Sequence, residues 1–65
     1  VKLYFKVGTM PARYYDVYRK RKAPVVGDVF KIIDTAVAGS KPFQVRLTEI
    51  KLNPFAVAIY FVEQW

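Results

Sequence analysis

The side chains able to do chemistry are few in this sequence, and they are of one kind. Histidine and cysteine are absent, serine occurs once at Ser40, and the carboxylates number five: Asp16, Asp28, Asp34, Glu49 and Glu63. General acid/base catalysis or magnesium binding needs carboxylates brought together, and only Asp28 and Asp34 lie close enough in sequence to suggest a pair. Asp28 follows Gly27 as a turn residue would, and Asp34 ends an apolar run before a loop, so turn formation accounts for both. An enzyme is not expected, nor a metal site or a cofactor. Gly8, Gly27 and Gly39 lack the spacing of a nucleotide-binding fingerprint and precede no helix, which leaves them as turn formers.

Cations are abundant where catalytic groups are scarce. Eleven Lys and Arg face five Asp and Glu, a formal charge of +6, and seven of the eleven (Lys2, Lys6, Arg13, Arg19, Lys20, Arg21 and Lys22) fall within residues 1–22. Tyrosines are interleaved with them at Tyr4, Tyr14 and Tyr18. Cations that neutralise phosphates beside rings that stack on bases are the means by which small β modules hold single-stranded nucleic acid. The plainer account is that lysines protect a sheet edge, tyrosines cover the core with their hydroxyls in water, and RKRK (19–22) is a solvated turn. Four like charges in a row repel one another, so RKRK is expected to be exposed or neutralised by a negative partner, either a phosphate backbone or an acidic protein surface.

The elements that would position these groups follow from apolar periodicity. In 1-VKLYFKV-7 the alternation is strict: Val1, Leu3, Phe5 and Val7 point one way, and Lys2, Tyr4 and Lys6 the other. After the turn formers of 8-GTMPA-12, the segment 13-RYYDVYRK-20 sets Tyr15 and Val17 against Tyr14, Asp16 and Tyr18, the pattern of a second strand paired with the first. A short helix near residues 11–20 is the competing assignment, because Thr9 could cap it and Pro11 could occupy its first turn. If the strands pair, Lys2, Tyr4 and Lys6 share an outer face with members of the set Tyr14, Tyr18 and Lys20. The segment 21-RKAPVVGD-28 is a connection, and 28-DVFKIID-34 a third strand suited to a buried or nearly buried position. After the loop 35-TAVAGSKP-42, strand four covers 43-FQVRLTEIKL-52, with Phe43, Val45 and Leu47 inward; Ile50 and Leu52 keep that face only if a bulge falls near Thr48 or Glu49. Asn53-Pro54 turns the chain into 55-FAVAIYFVEQW-65, apolar on both faces and therefore expected in the middle of the structure.

Five short strands separated by Gly/Pro turns predict an all-β fold: a small antiparallel five-stranded barrel or curled sheet, SH3- or OB-like in size, forming one domain over residues 1–65. The stretch 25-VVGDVFKIID-34 followed by 45-VRLTEI-50 resembles the Gly-Asp strand openings of small RNA-associated barrels such as the PUA-like and ASCH domains; it covers about a third of the chain, and no function is carried over from it. With neither disulfide nor zinc available, the core rests on side chains alone, of which 54% are hydrophobic and 17% aromatic. The longest nearly uncharged run, 52-LNPFAVAIYFV-62, falls short of the roughly 20 residues of a membrane helix, so no membrane partner is expected and a cytoplasmic location is the default. The two apolar faces of 55–62 and Trp65 also allow a dimer interface. The leading expectation is a basic module that contacts nucleic acid through Lys2, Tyr4, Lys6, Arg13, Tyr14, Tyr18, Arg19, Lys20, Arg21 and Lys22. The alternative is a protein-binding regulator or inhibitor, of phage or accessory type, that docks on an acidic surface of a larger protein.

Overall fold

A computed structural model describes residues 2–19 and 22–65. Five strands follow in order: β1 (Lys2–Val7), β2 (Arg13–Tyr18), β3 (Val29–Ile33), β4 (Phe43–Leu52) and β5 (Ala58–Gln64). They close into a barrel in which every strand pairs with its neighbours in sequence and β5 returns to β1. No helix occurs among the described residues. The helical assignment of 11–20 fails because Tyr15 and Val17 enter the core while Tyr14, Asp16 and Tyr18 do not, a period of two.

The four sequential pairings are antiparallel, whereas the closing β1–β5 seam is parallel. An odd number of strands that reverse at each step leaves the first and last running the same way, so a five-stranded meander can close only through a parallel pair. The barrel is antiparallel at every seam but this one. The direction of the strands also gives the barrel two distinct ends. One carries the β1–β2 turn and the β3–β4 loop; the other carries the start of β1, the 19–28 connection and the β4–β5 turn.

The interior is filled by Phe5, Val7, Tyr15, Val17, Phe30, Ile32, Val45, Leu47 and Val62, with Leu3, Phe43 and Tyr60 packed against them. Phe5, 0% exposed, is the hub: its ring centroid lies 6.1 Å from Tyr15 of β2, 5.9 Å from Phe30 of β3 and 5.5 Å from Tyr60 of β5. The expectation of a buried or nearly buried third strand holds for one face of β3, since Phe30 and Ile32 enter the core while Val29 and Lys31 face solvent. A larger correction concerns 55-FAVAIYFV-62. β5 sits between β4 and β1, yet its inward residues are Tyr60 and Val62; Ile59 and Phe61 lie half-buried on the outer wall, and Phe55 and Val57 belong to an exposed turn. A closed barrel has one interior, so a strand that is apolar on both faces must leave one of them outside.

The bulge anticipated near Thr48 is present: the β4–β5 register shifts between Leu47 and Glu49. Beyond it, Ile50 and Leu52 keep the core-side parity, but β4 has by then outrun β3, whose register with β4 covers Phe43 to Arg46. Both are exposed on a hairpin that projects past the barrel wall. Its turn is tightly made, with Asn53 N–H donating to Val57 O (3.0 Å), Ala56 N–H to Asn53 O (3.0 Å), and Asn53 Oδ1 accepting from the amides of Phe55 and Val57 (2.9 Å each). Ala56 holds the left-handed position of this turn, φ 61°, where glycine fits better.

Stability should track the division between axis and outer wall. Phe5→Ala is expected to cost about 3–5 kcal/mol, most of what a domain of this size has to lose, and Phe61→Ala about 1–2 kcal/mol. Urea unfolding should show no folded baseline for the first and a shifted midpoint for the second; equal losses would place the core elsewhere. Ala56→Gly relieves the left-handed backbone and should raise stability by about 1 kcal/mol in the same measurement.

Candidate functional site

The outer wall of β1 and β2 assembles the tyrosines as the alternation requires. Tyr4 stands opposite Tyr14 in the register, and their rings lie 4.9 Å apart at 57°, with Tyr14 57% exposed. The register extends this row across the seam: Tyr4 is level with Ile59 of β5, and Ile59 with Lys51 of β4. One step toward the end that carries the start of β1, Lys2 stands opposite Asp16, which is itself level with Ile33. In the next row, Tyr18 stands opposite Lys31, and the Arg19 guanidinium lies 4.9 Å over the Tyr18 ring. The surface is thus a ring platform bordered by Lys2 of β1, Lys31 of β3 and Lys51 of β4, with Arg19 just past the end of β2.

Arg19 holds φ at 55°, a left-handed conformation that costs a non-glycine residue about 1–2 kcal/mol. The contact with Tyr18 turns its charge back over the β2 surface. Lys22 is exposed. Lys20 and Arg21, central to the RKRK expectation, lie outside the described residues. At the far end of the connection, Gly27 adopts φ 98° and Asp28 Oδ2 accepts from the Val25 amide (3.1 Å), so this Asp closes a turn.

Two residues grouped with the site by sequence are placed elsewhere. Lys6 reaches the opposite end of the barrel, where its Nζ donates to the carbonyls of Gly8 (3.2 Å) and Met10 (2.9 Å) and ties down the β1–β2 turn. Arg13 pairs with Asp34 at 3.0 Å, joining the start of β2 to the end of β3 at that same end. Asp34 is nearly buried and also accepts from the Ala36 amide (3.1 Å). Asp28 and Asp34 therefore sit at opposite ends of β3, each holding a turn, and no cluster of three candidate metal ligands occurs among the described residues. Conversely, Lys31 and Lys51 join the patch without having been singled out. Lys31 is exposed in the alternating burial of VFKII, and the pairing register sets it opposite Tyr18.

No protein-family model matches this sequence, and comparison with curated proteins and with solved structures gives no significant match. The division between the two ends predicts different phenotypes for cations of the same sequence cluster. Lys6→Ala and Arg13→Ala should each lower stability by up to about 1 kcal/mol, as expected for partly exposed pairs. Neither should change the salt dependence of binding to a polyanion such as heparin. A lowered slope for either variant would return that residue to the binding surface.

Proposed function

We propose that this barrel binds single-stranded nucleic acid along the outer wall of β1 and β2. The observation that carries the reading is the Tyr4–Tyr14 pair, held outward by strand register on the same wall as Lys2, Lys31 and Arg19. Phosphates would be neutralised by the cations while a base stacks on the open Tyr14 ring. Base identity would be read weakly, because the wall offers rings and point charges and few paired donors and acceptors. Asp16 lies within the patch, opposite Lys2 and between Tyr14 and Tyr18 along β2, so a strand that contacts both rings would carry its phosphates beside that row, toward Lys2 or Lys31, and not over the carboxylate.

A second reading, docking on an acidic protein surface, is favoured by one observation: Val25 and Val26 lie exposed within the same 19–28 connection as the cations. Salt dependence and ring substitution separate the two. With a fluorescent single-stranded oligonucleotide, replacing Arg19, Lys20, Arg21 and Lys22 by Gln should weaken binding and reduce the slope of log K against log salt by roughly one unit for each phosphate that is no longer neutralised. Tyr14→Ala should cost about 1–3 kcal/mol on single strands and less on duplex. If the oligonucleotide slope is unchanged and Tyr14→Ala binds as the parent does, the nucleic-acid reading is wrong.

A further inference from the structure

The part of β4 that outruns β3 leaves a sheet edge open. Residues 49–52 pair on one side with β5, Thr48 being the bulged residue before them, and all five of 48–52 (TEIKL) are exposed, Ile50 by 40% and Leu52 by 72%. Their other side receives no backbone hydrogen bond from the described residues; the last links to the β3 side are Leu47 N–H to Asp28 O (2.9 Å) and Gly27 N–H to Leu47 O (2.8 Å). The turn fixes which backbone groups face outward. Asn53 N–H bonds to Val57 O, so Asn53, Lys51 and Glu49 direct their amides and carbonyls to β5, and alternation turns those of Ile50 and Leu52 to the open edge.

We infer that this edge pairs with the same edge of a second copy of the chain, antiparallel about a two-fold axis at Ile50. The sequence is self-complementary in that register. Ile50 meets Ile50 as a hydrogen-bonded pair, and Leu52 falls opposite Thr48. Glu49 falls opposite Lys51 of the second copy, and Lys51 opposite its Glu49, both at non-hydrogen-bonded positions, where side chains approach most closely. Within one chain Lys51 Nζ and Glu49 Oε1 already lie 3.2 Å apart on the outer face. Pairing therefore builds a quartet of alternating sign, while Ile50 and Leu52 of both copies cover one another on the other face. The product is a four-stranded antiparallel sheet made of two β4–β5 hairpins, an isologous contact that closes on itself and leaves no further edge of this kind to propagate. A one-residue slip would set Glu49 against Ile50 and Lys51 against Thr48, so the charges select the register.

The test is sedimentation equilibrium of the full chain at about 0.15 M salt, where long-range repulsion between the basic copies is screened. The parent protein should show a concentration-dependent monomer–dimer equilibrium. Glu49→Lys alone and Lys51→Glu alone each place like charges opposite one another and should weaken the dimer by about tenfold or more. An equimolar mixture of the two variants restores both opposite-charge pairs between the copies, though not the Glu49–Lys51 pair within each chain, and should dimerise clearly more strongly than either variant alone. An effect confined to each chain could not be rescued by mixing. Hydrogen exchange should show the amides of Ile50 and Leu52 gaining protection as protein concentration rises. A parent that remains monomeric throughout, single variants that dimerise normally, or a mixture without rescue would each overturn the inference.

Discussion

Phe5 is the residue on which the barrel turns. Its ring occupies the axis, and three aromatic neighbours reach it from three different strands, so that β2, β3 and β5 are each tied to β1 through one side chain. A 65-residue chain without disulfide or metal ligand has few other means of holding a closed sheet together. The alternation that sends Phe5 inward sends Tyr4 and Lys6 outward, and the register set by closure brings Tyr4 against Tyr14. Core and surface are two consequences of the same parity. A slip of one residue in β1 would empty the axis and bury the candidate site.

The two ends of the barrel use their polar groups differently. At the end bearing the β1–β2 turn and the β3–β4 loop, Lys6 and Arg13 are engaged by backbone carbonyls and by Asp34, and the cations fasten the structure. At the other end, Arg19 rests on an aromatic ring and Val25, Val26, Leu52 and Phe55 stand in solvent. Met10 and Val37 are exposed at the first end too, so the contrast between the ends lies in the cations, fastened at one and resting on a ring among exposed apolar side chains at the other.

Much of the fold was legible because period-two patterns are strong in this chain. VKLYFKV and FQVRL assign their inward residues without ambiguity, RYYDVY does so once it is read as a strand and not as the competing helix, and the parity break at Ile50 announced the bulge that the register shows at Thr48. What alternation could not convey is what lies behind each face. Ile59 and Phe61 are as apolar as Val62, and only closure decides that they remain on the outer wall. Ile50 and Leu52 have core parity but no core beneath them, since their exposure depends on β3 ending short of β4, a matter of strand length and not of residue type. The site was legible to the same extent. The outward tyrosines followed from parity, whereas the removal of Lys6 and Arg13 to the other end, and the arrival of Lys31 beside Tyr18, are facts of long-range register.

The parallel seam has a consequence for how the protein is made. Of the five strands β1 emerges first during synthesis, but its partner across the seam begins at Ala58, and Gly8 N–H completes that seam on Val62 O. Until β5 has left the ribosome the growing chain can form only an open meander, with Phe5 bare of Tyr60 and both outer edges unpaired. Closure therefore waits for β5 and joins the two strands most distant in sequence, and such long-range pairing is slow compared with local hairpin formation. Over that interval an incomplete sheet rich in aromatic residues is open to capture by other chains, so the yield of folded protein depends on how promptly β5 is delivered.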